Sequence, residues 1–318
     1  MTRVAVLGAG AWGTAIAAAL APRMEVALWA RDAAQAGLMA RTRRNERYLR
    51  GIEIPGTVKV TSDFPGSADL FLAATPVAAL REVAGKLAKN SPLVWLCKGV
   101  EEGSGLLPHQ LVEQERCGAL SGPSFADEVA RGLPCALTLA SRDAAFAKHA
   151  AALLHGGRLR VYYSADLVGV EVGGAVKNVM AIAAGISDGL GLGHNARAAL
   201  ITRGLAEIAR LGAAMGGSAE TIFGLTGAGD LILTATGDLS RNRRVGLELA
   251  RGKALADVLL SLGHVAEGVY TAREVAKLAK ARSVDMPVSD AVNAVLEGKL
   301  QPKAAVEQLL SRDPKQER

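Results

Sequence analysis

The sequence predicts an α/β fold, with an N-terminal doubly wound, mostly parallel sheet of Rossmann type and a C-terminal all-helical domain, from three observations. Short apolar runs alternate with helical stretches over residues 3–163, the pattern of a parallel sheet covered by helices on both faces. The strand signal ends at Ser164 and long helical runs take over. The first apolar run passes straight into Gly8-Ala-Gly10-Ala-Trp12-Gly13, the setting of a βαβ turn that cradles a dinucleotide. The domains are therefore set at residues 1–163 and 164–318.

Residues 4–7, Val-Ala-Val-Leu, have the length of a buried strand. Gly8 then allows the tight turn, Gly10 lets the backbone approach a pyrophosphate, and Gly13 lets the next helix pack closely. That helix, the alanine-rich residues 14–21, has good helix formers, and its N-terminus offers free N–H groups to phosphate. No Gly-Lys-Ser/Thr follows, so a Walker loop is excluded. Further strands are expected at residues 25–29, 58–60, 70–74, 93–97, 118–121, 136–139 and 159–163, with amphipathic or alanine-rich segments between most of them. The basic stretch 41–50 reads as a solvated helix end and loop. Helices are expected at 166–190, 196–215, 241–251, 254–262, 269–281, 287–296 and 303–310, and 312–318 as a frayed charged tail.

At 318 residues the chain has material for two cores. A net charge of +6 is spread along it and aromatics are only 4%, too few for stacking on nucleic acid, so an anionic small molecule is the better partner. Cys97, Cys117 and Cys135 show no CxxC spacing, and five scattered histidines show no HxxxH or HExxH pair. Neither a disulfide framework nor a metal site is expected, and Cys97 reads as core packing. No apolar segment reaches about 20 residues without glycines and an embedded lysine, and the N-terminus lacks a signal-peptide pattern. No membrane span and a cytoplasmic location are the expectations.

Several residues are chemically anomalous. Lys177 is the only charge between Glu171 and Asp188, on a helix apolar almost all round. No carboxylate stands three or four positions away, and Gly173 and Gly174 leave bare the surface over which a helical side chain leans. Lysine would project there toward a ligand; close helix packing by the glycines and snorkelling to solvent are the alternatives. An ammonium buried without a partner is destabilising, so its removal is expected to leave stability unchanged or higher. Lys98 ends one strand, and Ser121-Gly122-Pro-Ser124 ends the next, at the edge where open α/β sheets bind ligands; a solvated lysine and a plain turn with Ser124 as helix cap also fit. Arg31 stands after the second strand, where an acidic residue usually meets a ribose. A guanidinium there suits the 2′-phosphate of NADP, Asp32 could still reach a ribose hydroxyl, and a surface arginine is the alternative. Ser240-Arg241-Asn242-Arg243-Arg244 opens a helix with Ser240 suited to cap it. Cations at a helix N-terminus oppose its dipole unless an anion is present; a solvated basic turn is the alternative. Asp230, at the start of an apolar run, reads as a functional carboxylate or an N-cap.

Together, Gly8-Ala-Gly-Ala-Trp-Gly13, Cys97-Lys-Gly99, Ser121-Gly-Pro-Ser-Phe-Ala126, Gly173-Gly-Ala-Val-Lys-Asn178, Gly227-Ala-Gly-Asp230, Ser240-Arg-Asn242 and Val265-Ala-Glu-Gly268 closely resemble the NAD(P)-dependent glycerol-3-phosphate dehydrogenases of the bacterial type. The resemblance runs in order over nearly the whole chain. It implies reduction of dihydroxyacetone phosphate to sn-glycerol 3-phosphate, for glycerophospholipid synthesis, with Lys177 as proton donor or acceptor. It implies substrate contacts from Lys98, Gly122, Ser124, Asp230, Ser240, Arg241 and Asn242, and coenzyme contacts from Trp12, Arg31, Lys98, Ala126, Arg241, Val265 and Glu267. Ala11 stands where many members have serine, so only its backbone N–H is left for a phosphate.

On this reading Lys98 and burial lower the Lys177 pKa while Asp230 opposes them and orients the ammonium, with the site expected in a cleft between the domains. NADPH is expected to be preferred over NADH, and a homodimer is expected by analogy with relatives. Two rival readings are a 3-hydroxy-acid dehydrogenase with a comparable lysine, which leaves the arginine-rich helix start without its phosphate, and a non-enzymatic NADP sensor, which has no use for Lys177, Asp230 and Ser240-Arg-Asn together.

Overall fold

The computed structural model describes residues 1–262, 266–313 and 316. They divide into two compact units, Met1–Glu101 with Leu106–Glu171, and Glu102–Gly105 with Val172–Arg318.

The first unit holds β1 (Arg3–Leu7), β2 (Glu25–Trp29), the short β3 (Arg44–Asn45) and β4 (Leu49–Glu53), then β5 (Lys59–Thr61), β6 (Leu70–Ala73), β7 (Leu93–Trp95), β8 (Cys117–Ser121), β9 (Cys135–Ala140) and β10 (Leu159–Ser164). All except β3 and β4 join one sheet in the order β10-β9-β8-β7-β6-β1-β2-β5. Every neighbouring pair is parallel except β8 with β9. The eight strands of this sheet are those expected from the apolar runs.

From β1 the chain works outward through β2 to β5, then returns to the other side of β1 with β6. The carboxyl ends of β1 and β6 thus flank the point where the connections diverge, which is where open α/β sheets receive ligands. Helices α1 (Ala11–Leu20), α2 (Ala33–Thr42), α3 (Val77–Ala84), α4 (Ala126–Ala130) and α5 (Ala144–Leu154) connect the strands. Because successive side chains of a strand point to opposite faces, Val4 and Val6 pack with Ile16 of α1 and Phe146 of α5, while Ala5 and Leu7 pack with Leu80 of α3 and Trp95. Both faces of the sheet are therefore buried, as a doubly wound sheet requires.

Residues 41–50 depart from the expected solvated helix end and loop. They carry β3 and the start of β4, paired antiparallel, and Asn45 is 1% exposed. Most charges of this stretch face solvent, while Asn45 faces in and the half-buried Arg43 donates to the Ile54, Pro55 and Val58 carbonyl oxygens, a pattern that a count of charges misses.

The second unit is helical: α6 (Leu167–Gly189), α7 (Gly193–Ala214), α8 (Ala219–Phe223), α9 (Asp230–Thr236), α10 (Arg241–Ala250), α11 (Leu255–Leu262), α12 (Glu267–Ala281), α13 (Pro287–Leu296) and α14 (Pro302–Leu310). The division between the units falls inside α6, at Glu171 and Val172. Among the described residues α6 alone is long and apolar enough to cross a membrane, but 94% of its apolar window is buried inside the protein, so it is a core helix. A Cβ on Gly185 of α6 would lie 2.0 Å from the Arg243 carbonyl oxygen, and one on Gly246 of α10 would lie 2.0 Å from that of Ile182; the two helices touch backbone to backbone. Helix α13 has no capping side chain of its own. Glu207 of α7 supplies one, accepting from Val288 N (2.7 Å), Ser289 N (3.1 Å) and Ser289 Oγ (3.0 Å).

Candidate active site

In the first unit the glycine turn is built by contact. Gly8 has φ +116°, and a Cβ there would stand 2.7 Å from the carbonyl oxygen of Ala74, which follows β6. A Cβ on Gly13 would lie 1.9 Å from the Gly8 carbonyl oxygen, so the start of α1 folds down onto its own turn. Gly10 differs, with nothing within 4 Å of its Cβ position. The N-terminus of α1 has no side-chain cap and no acidic residue in its first turn. Open space over Gly10 beside uncapped N–H groups fits the pyrophosphate of a dinucleotide. Ala11 and Trp12, at the start of α1, and Ala126, at the start of α4, are half-buried against the same core.

Arg31, after β2, is exposed, and its charge helps hold the Glu82 carboxyl below its usual range, after the larger effect of Lys86. Asp32 caps α2, its Oδ1 accepting from Ala34 N (2.9 Å) and Gln35 N (3.2 Å). Beyond the parallel neighbours β7 and β8, Lys98 Nζ donates to the Gly122 carbonyl oxygen at 3.0 Å, and Ser124 Oγ donates to the same oxygen at 2.9 Å. The strand-end segments thus meet. Lys98 is half-buried rather than a solvated loop lysine, and Ser124 is no helix cap, since α4 starts after Phe125 with no side-chain cap bond.

In the second unit Lys177 is 6% exposed and Asp230 2%. Lys177 Nζ donates to Asp230 Oδ1 at 3.0 Å and to Thr234 Oγ1 at 2.8 Å, while Thr234 Oγ1 donates to the Asp230 carbonyl oxygen at 2.6 Å. Snorkelling is thereby excluded. Asp230 is not an N-cap: it has helical backbone angles and opens α9 after the π-helical turn Leu225–Gly229. That turn packs on α6, where a Cβ on Gly173 would lie 3.1 Å from the Thr226 carbonyl oxygen. Gly173 therefore serves close packing rather than an open ligand surface. The ammonium has a buried partner, so the expectation that removing it leaves stability unchanged or higher is reversed: the change would take from the buried Asp230 carboxylate the ammonium it is paired with. Thr234 was not singled out from sequence, although its four-residue spacing from Asp230 places both on one helical face.

Ser240 caps α10 as expected, its Oγ accepting from Arg243 N at 3.2 Å. The arginines that follow are not equivalent. Arg243 Nε donates to Asp188 Oδ2 at 2.9 Å, and its Nη1 donates to Asp238 Oδ1 at 2.9 Å. Its charge is met by carboxylates and asks for no anion, which corrects the reading of all the arginines as one cluster. Arg241 is exposed to solvent, yet desolvation by the protein around it holds its pKa below the ordinary arginine value, opposed by Glu267. With Arg243 engaged by carboxylates, Arg241 at the first position of α10 is the better candidate for a phosphate. Asn242 is 8% exposed; its Nδ2 donates to Asn178 Oδ1 at 2.9 Å and its Oδ1 accepts from Gly268 N at 3.1 Å, tying α10 to α6 and α12. Glu267 opens α12. Val265 lies outside the described residues.

Comparison with known proteins gives one consistent result. Residues 3–147 match the family described as the N-terminus of NAD-dependent glycerol-3-phosphate dehydrogenase, and residues 166–307 match the family described as its C-terminus. Relatives named glycerol-3-phosphate dehydrogenase [NAD(P)+] include one from Aromatoleum aromaticum, 58% identical over 99% of this chain and 100% of its own. Another, from Dechloromonas aromatica, is 56% identical over 99% of both chains. The crystal structure of glycerol-3-phosphate dehydrogenase from Coxiella burnetii superposes with a TM-score of 0.93 at 41% identity, covering 98% of this chain and 99% of that one.

Proposed function

The chain belongs to the NAD-dependent glycerol-3-phosphate dehydrogenase family, and from that premise we propose the part each site residue takes in its reaction. The enzyme reduces dihydroxyacetone phosphate to sn-glycerol 3-phosphate with NADPH or NADH, the product serving glycerophospholipid synthesis. The observation that carries the assignment is the buried group Lys177, Asp230 and Thr234.

The nicotinamide, when bound, supplies the hydride. As the carbonyl oxygen gains negative charge it needs a proton from an acid within hydrogen-bond reach, and Lys177 Nζ gives it. Asp230 and Thr234 hold that nitrogen in one orientation, and the low dielectric around them strengthens its pull on a developing oxyanion. Arg241, with the N–H groups at the start of α10, holds the substrate phosphate. Asn242 keeps α10 in place through Asn178 and Gly268. Binding energy from the phosphate positions the ketone, and Lys98, Gly122 and Ser124 complete the substrate contacts. For the coenzyme, Gly8, Gly10, Ala11, Trp12 and Gly13 cradle the pyrophosphate and Arg31 meets a 2′-phosphate, so NADPH is preferred. Ala126, Val265 and Glu267 are assigned to the coenzyme on family resemblance, and Lys98 and Arg241 are assigned to it on the same ground.

The test is to mix purified protein with dihydroxyacetone phosphate and each reduced nicotinamide and follow the loss of absorbance. Turnover with a 3-hydroxy acid's keto form in place of the phosphorylated ketone would overturn the reading. As part of the same proposal the enzyme is a cytoplasmic homodimer, read by cell fractionation and by light scattering of the pure protein.

A further inference from the structure

We propose that Asn45 is a positioning residue for the coenzyme, the device that sets the peptide plane of the glycine turn. This rests on the reading that the dinucleotide lies over Gly10. Asn45 sits in β3, a strand of two residues, and is 1% exposed in a stretch whose neighbours Arg44, Glu46 and Arg47 are all exposed. Its Nδ2 donates to the Ala9 carbonyl oxygen at 3.0 Å and to Thr14 Oγ1 at 2.7 Å, and its Oδ1 accepts from Tyr48 N at 3.2 Å. The amide therefore bridges the turn to the first part of α1, across 36 and 31 positions of sequence.

The consequence follows from peptide planarity. The C=O of Ala9 and the N–H of Gly10 belong to one rigid plane and point in opposite directions. Holding the Ala9 oxygen toward Asn45 aims the Gly10 N–H away from it. The backbone near that plane is anchored as well, because Gly8 N donates to the Trp29 carbonyl oxygen at 3.0 Å and Thr14 N to that of Gly10 at 3.0 Å. Without the amide, the 9–10 peptide would lose the side-chain bond that fixes its orientation before the pyrophosphate arrives. Ordering a loop at the moment of binding lowers affinity. The role is common to both coenzymes because both carry the pyrophosphate, and it is separate from the choice that Arg31 makes.

The experiment measures Kd for NADPH and NADH by tryptophan fluorescence, together with steady-state kinetics, for Asn45→Ala, with Arg50→Ala as a control on the exposed side of the same hairpin. Asn45→Ala is expected to raise both Kd values about tenfold, the worth of roughly one hydrogen bond. The NADPH to NADH ratio and KM for dihydroxyacetone phosphate should hold, and kcat at saturating coenzyme should change far less than Kd. Unchanged Kd values overturn the proposal, as does a parallel fall of every parameter with the melting temperature, the mark of a merely structural residue. Gly10→Val separates the underlying reading: its side chain enters open space, so the fold survives and coenzyme binding is lost. If Gly10→Val binds normally, the dinucleotide is not on this turn and both ideas fall; if only Asn45→Ala binds normally, the positioning role alone falls. Should Asn45→Ala not fold, hydrogen exchange on the unmodified protein decides: NADPH must slow exchange in residues 44–53 along with the turn, and protection of the turn without the hairpin overturns the proposal.

Discussion

Replacing Lys177 by methionine keeps an unbranched side chain of nearly the same length and removes its charge and its bonds to Asp230 at 3.0 Å and Thr234 at 2.8 Å. What remains is a carboxylate 2% exposed that has lost its ammonium partner. Breaking a buried ion pair from one side costs about 3–5 kcal/mol, because the surviving charge is uncompensated. Against a typical domain stability of about 5–15 kcal/mol this is a large fraction, read directly as a fall in the urea midpoint. Lys177→Met with Asp230→Asn removes both charges, and the pair of changes should recover much of the loss, giving a coupling energy of about 0.5–3 kcal/mol or more in a double-mutant cycle. Turnover should not recover: loss of a general acid lowers kcat by about a hundredfold to ten-thousandfold in single and double variants alike, with NADPH affinity kept. A Lys177→Met protein as stable as its parent would refute the electrostatic account. Turnover within about tenfold of the parent would remove lysine from proton transfer.

Arg31→Asp should reverse coenzyme order, replacing a charge-assisted bond of about 1.5–3 kcal/mol with repulsion; an unchanged ratio of kcat/KM for NADPH and NADH would show that Arg31 points away from the coenzyme. Arg241→Ala should raise KM for the phosphorylated ketone and lower kcat, whereas Arg243→Ala, which leaves Asp188 and Asp238 without that partner, should lower the melting temperature first; equal turnover of free dihydroxyacetone by the unmodified enzyme would count against any phosphate site. Burial holds the Glu207 carboxyl above its usual range, so the native state keeps a proton that the unfolded chain releases near pH 4.3, and stability falls as pH rises from about that value through the raised one. Glu207→Gln should remove that slope in urea melts taken across mildly acid to neutral pH, and a profile parallel to the parent's would contradict it.

The sheet was legible because its central strands are buried on both faces and so read as apolar runs between helical segments. The β3–β4 hairpin was not, because its charges face solvent and Asn45 turns inward as a single amide within an arginine-rich stretch. Lys177 stood out as a lone charge on an apolar helix, but its partner lies 53 positions away, beyond the reach of helical spacing. The arginines of α10 misled in a similar way: one of the two carboxylates that answer Arg243 is Asp188, 55 positions earlier. Local rules detect an unmet need for a partner. They do not find the partner when tertiary packing supplies it.

The glycine contact between α6 and α10 acts as a gauge. Lys177 rides on α6 and Arg241 begins α10, and the helices are seated carbonyl against glycine at Gly185 and Gly246. The separation between the proposed acid and the proposed phosphate anchor is consequently set by main chain. Repacking side chains cannot lengthen or shorten it, and a methyl group at either glycine would wedge the helices apart by prising the whole unit. Selection for a ketone with one more carbon before its phosphate would have to rebuild the helix pair, so substrate length in this scaffold should resist laboratory evolution far more than coenzyme choice, which on the proposed reading turns on one exposed arginine.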